Sequence, residues 1–262
     1  MRQNAVKAVM ASGGTALVGW TGIGNSYSAE LLGHSGFDGV VVDMQHGQVY
    51  LDQAVPMLQA ISATPATPLA RVTANQFFEI NKILDSGAYG VIVPMIDTAD
   101  DARAVVDAVR YPPVGRRSFG PARGLLYGGQ DYAAHANDTL LAFAMIETPQ
   151  AMANLDAIAA VPGLDGLFVG PADLSLALGV PPAVKWRDEP LRGAIARVLA
   201  ACRAHGKFAG IFCTSVEMAV DMKAAGWQLL VPGNDAALLR GAAQAACDAI
   251  RGGAGTGPKA AY

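Results

Sequence analysis

Val40-Val41-Val42-Asp43-Met44-Gln45-His46-Gly47 is an unbroken β-branched run that stops at an acid, an amide and an imidazole before a glycine. A strand buried on both faces of a parallel sheet is written this way, so its polar end marks the carboxyl edge of the sheet. Three more runs end alike: Leu69-Ala70-Arg71-Val72, Ala142-Phe143-Ala144-Met145-Ile146-Glu147-Thr148-Pro149, and Gly166-Leu167-Phe168-Val169-Gly170-Pro171-Ala172-Asp173-Leu174. In βα barrels the carboxyl ends of the strands form the active-site mouth. Two carboxylates, an arginine and a histidine converging there point to an enzyme that holds a divalent metal and an anionic substrate.

Outward from these stretches, strands are expected at 15–20, 39–43, 68–72, 90–95, 140–146, 166–170, 208–213 and 229–232. Segments with helical spacing lie between them, at 26–34, 50–62, 75–87, 98–110, 149–160, 188–205, 215–225 and 235–251. Eight strand–helix alternations require a parallel sheet and predict an α/β fold, a (βα)8 TIM barrel, over a doubly wound open sheet. Gly87, Gly206 and Gly226 stand where helices stop in left-handed caps, and Thr148-Pro149 and Thr214-Ser215 open helices with a capping hydroxyl. The barrel is expected as a single domain over 1–251, with a long insert at 111–139 that serves either function or an oligomer interface. Residues 252–262 have the composition of a flexible tail.

The chain has 262 residues, of which 52% are hydrophobic and 16% charged, so a large core is available and disorder is excluded. A formal net charge of -3 gives no electrostatic reason for binding nucleic acid or an anionic membrane. Cys202, Cys213 and Cys247 are odd in number and lack C-x-x-C spacing, which fits buried small residues in a reducing compartment. No run reaches 18 apolar residues, the approximate length of a membrane span, so a soluble cytoplasmic protein is the expectation.

Glu147 and Asp173 end consecutive strands, which lets their carboxylates share a centre suited to octahedral Mg2+ or Mn2+, with Co2+ a third candidate. Each has a structural alternative, as a helix cap for Glu147 and a turn cap for Asp173. Arg71 is placed to bind a carboxylate or an enolate oxygen, or else to form an ordinary salt bridge. His46 is the histidine placed as a proton carrier, with a structural role as its alternative. Asp85 is a candidate to orient the His46 ring, and Trp20 either walls the pocket or packs beneath it. At Gly170-Pro171-Ala172-Asp173 a glycine permits close approach, and exposed amides are suited to one oxygen of a 2-oxo acid carboxylate.

Across residues 10 to 250 the chain resembles the metal-dependent class II pyruvate aldolases of the 4-hydroxy-2-oxoheptanedioate / 2-dehydro-3-deoxyglucarate aldolase family. The resemblance rests on Phe37-Asp-Gly-Val-Val-Val-Asp43-Met-Gln-His46-Gly, Val93-Pro94-Met95, Arg110-Tyr-Pro-Pro-Val-Gly-Arg116-Arg, Ile146-Glu147-Thr148 and Gly166-Leu-Phe-Val-Gly-Pro-Ala-Asp173-Leu-Ser. It implies a barrel of the phosphoenolpyruvate/pyruvate type, assembled as a homohexamer (a trimer of dimers) with the last helix exchanged between subunits. It further implies that Glu147 and Asp173 are the metal ligands, that Arg71 stabilises the pyruvate enolate, and that His46 with Asp85 is the base dyad. Asp43 is then a group near metal-bound water, and the backbone at Gly170 and Ala172 holds the substrate carboxylate. Gln45 stands where the family often has Glu, and Met145 where it often has Gln.

The expected activity is reversible aldol cleavage of a 4-hydroxy-2-oxo acid to pyruvate and an aldehyde. Lys82 and Lys223 fall in expected helices, and no lysine ends a strand where a Schiff-base aldolase needs one. The alternatives are a CoA-thioester lyase of the malyl-CoA/citrate lyase type and a non-catalytic barrel that binds a keto acid.

Overall fold

The structure, a computed structural model, describes residues 1–182 and 185–252. Its strands are β1 (Ala16–Thr21), β2 (Gly39–Asp43), β3 (Thr67–Arg71), β4 (Gly90–Val93), β5 (Leu141–Ile146), β6 (Gly166–Val169), β7 (Phe208–Phe212) and β8 (Leu229–Val231). Each pairs in parallel with its sequence neighbours, and β1 pairs with β8 through Ala16–Leu229 and Leu17–Leu230, so the sheet closes. The open-sheet alternative is thereby excluded.

The helices are α1 (Ala5–Ala11), α2 (Ser26–Gly33), α3 (Leu51–Ser62), α4 (Phe77–Asp85), α5 (Ala99–Val109), α6 (Ala122–Gly128), α7 (Tyr132–Thr139), α8 (Pro149–Ala153), α9 (Leu155–Ala159), α10 (Pro171–Ala177), α11 (Leu191–Ala204), α12 (Val216–Ala225) and α13 (Asp235–Ile250). The left-handed glycines are found at Gly87, Gly206 and Gly226, and Thr148 and Ser215 cap α8 and α12 by accepting from the amides of Ala151 and Met218. The expected insert is not a bare loop, since it folds into α6 and α7. Helices α1 and α10 were not anticipated because seven residues give too short a periodic signal.

Aromatic rings fill the barrel, and glycines in register make room for them. Phe143 pairs with Gly166 and Phe168 with Gly210, and a Cβ on those glycines would lie 2.3 and 2.8 Å from the rings. Trp20 from β1 stacks on Phe168 and meets Phe212 edge-on, both at 5.7 Å between centroids, so the interior is packed rather than open.

Helix α13 departs from this pattern. Asp235 is its buried residue, while Leu239 is 65% and Ile250 87% exposed, so its apolar side is left uncovered among the described residues. Cys202 and Cys213 are buried as expected, but Cys247 is exposed because it lies on this helix. Among the described residues no helix is long and apolar enough to cross a membrane. The tail expected at 252–262 lies outside the described residues from 253 onward.

Candidate active site

The register of β2 against β3 sets Asp43 opposite Arg71. The guanidinium closes on the carboxylate side-on, Nε donating to Oδ1 at 2.9 Å and Nη2 to Oδ2 at 2.7 Å. Trp20 Nε1 donates to Oδ2 at 3.1 Å, and the amides of Gln45 and His46 donate to Oδ1 at 3.1 and 3.3 Å. Burial pushes the Asp43 carboxyl up, but the bonds and charge of Arg71, with Trp20 and the His46 amide, outweigh it and hold its pKa below the usual carboxylate value. Arg71 is 8% exposed and lies 4.8 Å over the Trp20 ring, and its Nη1 makes no hydrogen bond among the described residues. One edge of the fork is therefore spent on the protein and the other remains to bind an anion.

Glu147, the residue after β5, is 3% exposed, and its Oε1 accepts the amide of Met95 at 2.8 Å. Met95 follows β4 with φ 55°, a left-handed conformation rare outside glycine, and its amide faces Glu147. The other oxygen is directed toward Gly170. A Cβ built there would stand 3.0 Å from Glu147 Oε2, 3.1 Å from Met145 Cε and 3.7 Å from Asp173 Oδ2. Both carboxylates thus converge on a space that only glycine leaves open. Burial raises the Glu147 pKa, the Met95 amide lowers it, and the nearby Asp173 charge raises it again.

Two acids facing one space repel unless a cation lies between them, so this donor set fits a divalent metal with oxygen ligands. No group of three or more His, Cys, Asp or Glu is gathered for a metal among the described residues. The pair therefore leaves most coordination positions to water and substrate, as Mg2+ or Mn2+ sites do, and offers none of the nitrogen or sulfur ligands that zinc favours.

His46 lies on the loop after β2 with an exposed ring that makes no side-chain hydrogen bond among the described residues. The structure does not bring Asp85 to it. Asp85 ends α4, and the turn that follows hydrogen-bonds to the start of β3 through Tyr89 N and Pro68 O at 2.7 Å, at the foot of the barrel. There Asp85 accepts from Arg117 Nη2 at 2.8 Å. A His46–Asp85 dyad inside one chain is excluded, because the two residues belong to opposite ends of the barrel. Trp20, 2% exposed, is not a wall that a substrate reaches; it lies beneath the site and holds Asp43. Gln45 contributes its amide to Asp43, while its side-chain oxygen is buried with no partner among the described residues. Gly170 precedes α10, whose first turn carries Ala172 and Asp173.

Sequence reasoning missed the Met95 amide, because the direction of a backbone N–H has no sequence signature. It also missed Asp235. That residue reads as an ordinary first-turn acid of a helix, yet it contacts the loop after β1, more than 200 positions earlier.

The insert arginines are engaged internally. Arg117 bonds Asp85 and the Tyr132 hydroxyl, and Arg123 donates to Ser86 O and Ser62 Oγ. Arg116 is exposed and pairs with Asp107.

Residues 17–250 match the HpcH/HpaI aldolase/citrate lyase family. The chain is 42% identical over 241 residues to a hydroxypyruvate/pyruvate aldolase of Rhizorhabdus wittichii, covering 92% of this chain and 96% of that one. It is 37% identical over 246 residues to a 4-hydroxy-2-oxo-heptane-1,7-dioate aldolase of Salmonella dublin, covering 93% of each. A crystal structure of an HpcH/HpaI aldolase/citrate lyase family protein from Burkholderia cenocepacia superposes with a TM-score of 0.87 at 31% identity, over 95% of this chain and 100% of that one.

Proposed function

The chain belongs to the HpcH/HpaI aldolase/citrate lyase family, and from that premise we propose that it cleaves a 4-hydroxy-2-oxo acid reversibly to pyruvate, or a close 2-oxo acid, and an aldehyde. It is a carbon–carbon lyase of the aldolase type. The observation that carries the metal-dependent form of this reaction is the convergence of Glu147 and Asp173 over Gly170, within reach of the charge of Arg71.

Glu147 and Asp173 are the residues that would hold a divalent cation, Mg2+ or Mn2+ with Co2+ as a third candidate, and the cation would supply Lewis-acid polarisation of the 2-oxo group. Cleavage breaks the bond between C3 and C4. His46, directly or through water, accepts the C4 hydroxyl proton as the aldehyde leaves, and the electron pair of the broken bond becomes an enolate that is then protonated at C3. Arg71 offers its unspent Nη1 edge to the enolate oxygen, and Asp43 and Trp20 keep the guanidinium in place. The first-turn amides of α10 at Ala172 and Asp173, which have no helical acceptors, suit the substrate carboxylate, with Gly170 allowing close approach.

The uncovered side of α13 supports a homo-oligomer in which that helix packs on a partner subunit, in keeping with a hexameric trimer of dimers. Small-molecule 2-oxo acids and aldehydes are the expected ligands, and the cytoplasm the expected location. Internal engagement of Arg117 and Arg123 leaves little free basic surface in the insert for a nucleotide, which disfavours the CoA-thioester lyase.

The test is pyruvate release from a panel of 4-hydroxy-2-oxo acids before and after chelation, with metal added back. Release that stops on chelation and returns with Mg2+ or Mn2+ supports the proposal. No release from any member by metal-loaded protein contradicts it and favours the thioester lyase or a non-catalytic binder.

A further inference from the structure

We infer that Asp235, at the start of α13, is a positioning residue that fixes His46 for proton transfer. This rests on the aldolase reading above and adds a residue to it.

Asp235 is 6% exposed, and both carboxylate oxygens are occupied by the loop that follows β1. Oδ2 accepts from the Thr21 hydroxyl at 2.6 Å, the Ser28 hydroxyl at 2.9 Å and the Ile23 amide at 3.2 Å. Oδ1 accepts from the Gly22 amide at 2.9 Å and from the amide of Ala236 in its own helix at 2.8 Å. The side chain that caps α13 is that of Asn234, and only the last of these bonds lies within the helix. The other four donors lie on a different βα unit, so the carboxylate serves to hold the 21–28 segment in one conformation.

That segment is the support on which the His46 loop rests. Gly22 O accepts the Gln48 amide at 2.8 Å. A Cβ on Gly47 would come within 2.9 Å of Gly22 Cα, 3.2 Å of Gly22 O and 2.3 Å of Asp43 O, so the two loops touch backbone to backbone. His46 lies between Asp43 and Gly47. Its ring makes no side-chain hydrogen bond among the described residues, and within these residues it is the backbone that places it. The Asp43 end of that backbone is tied to Arg71 and Trp20, and the Gly47 end to Gly22, which Asp235 holds.

Two reactions separate this role from a merely structural one. Aldol cleavage requires a base at the C4 hydroxyl. Decarboxylation of oxaloacetate to pyruvate and CO2 passes through the same enolate with no hydroxyl proton to remove, so it needs the electron sink but not His46. Asp235→Asn keeps the shape but replaces one acceptor oxygen with a donor. It should lower kcat for aldol cleavage about ten- to hundredfold, as expected for an ångström-scale misplacement of a reacting group. KM and oxaloacetate decarboxylation should each stay within about twofold of wild type. Thr21→Val, which removes one donor from the cluster and barely changes volume, should shift the same ratio in the same direction by a smaller factor, and it decides the matter if Asp235→Asn does not fold. Parallel loss of both activities, or loss of neither, overturns the proposal. A wild type that releases no pyruvate from any 4-hydroxy-2-oxo acid overturns the aldolase reading and this inference together, whereas failure confined to the variant ratio overturns this inference alone.

Discussion

Asp43 and Arg71 face each other in register across β2 and β3, and two hydrogen bonds of 2.9 and 2.7 Å join their side chains where both are nearly excluded from water. A pair so placed is costly to break, because the surviving partner keeps a buried charge with nothing opposite it. Asp43→Asn should therefore destabilise the fold by about 3 kcal/mol, measured by urea unfolding at neutral pH.

The same pair makes a pH prediction. The folded-state pKa of Asp43 lies below its ordinary value, so its contribution is fully present above the unfolded-state pKa. It is lost as pH falls from the ordinary carboxylate range through the depressed folded value. Stability of the wild type should fall over that acid window more steeply than that of Asp43→Asn. Parallel acid limbs for the two proteins would show that Asp43 is not held in its charged form.

Trp20 is placed to hold Asp43 rather than to touch a ligand. Trp20→Phe retains an aromatic ring against Phe168 and removes the N–H donated at 3.1 Å. The expected cost is about 1 kcal/mol of stability, with a fall in kcat and an unchanged KM for the oxo acid. A rise in KM at constant kcat would instead return Trp20 to the pocket wall.

Asp85, half-buried, pairs with Arg117 at the foot of the barrel, where the Arg117 side chain is fully covered. A double-mutant cycle for stability between Asp85→Asn and Arg117→Met should show coupling of about 1 kcal/mol or more. The cycle between Asp85→Asn and His46→Ala in a monomeric preparation should be additive. Coupling in the second cycle would place the two residues together after all.

The strand ends were legible because a parallel strand buried on both faces has almost no polar residue until it leaves the sheet, as at Asp43, Arg71 and Glu147. Convergence of Glu147 with Asp173 followed because each comes soon after one of two neighbouring strands, Glu147 directly after β5 and Asp173 in the first turn of α10 beyond β6. Asp85 was not placed by its residue type, because an acid at a helix end reads alike at either mouth, whereas a helix that returns to the next strand must end at the mouth opposite His46. Trp20 was ambiguous because strand position does not tell how deep in the barrel a side chain ends. Asp235 was hidden for a different reason: its partners on the 21–28 segment are brought to it by closure of β8 on β1, which no local pattern records. The exposure of Cys247 was likewise invisible, because an alanine-rich helix reads alike whether it covers its own barrel or another.

Binding of Mn2+, followed by electron paramagnetic resonance on wild type, Glu147→Gln and Asp173→Asn, tests the central claim most directly. The wild type should hold one ion per chain, and each variant should bind it at least about tenfold more weakly, since each loses one of only two charged protein ligands. Undiminished Mn2+ binding in both variants would contradict the account, because the metal would then lie elsewhere than over Gly170.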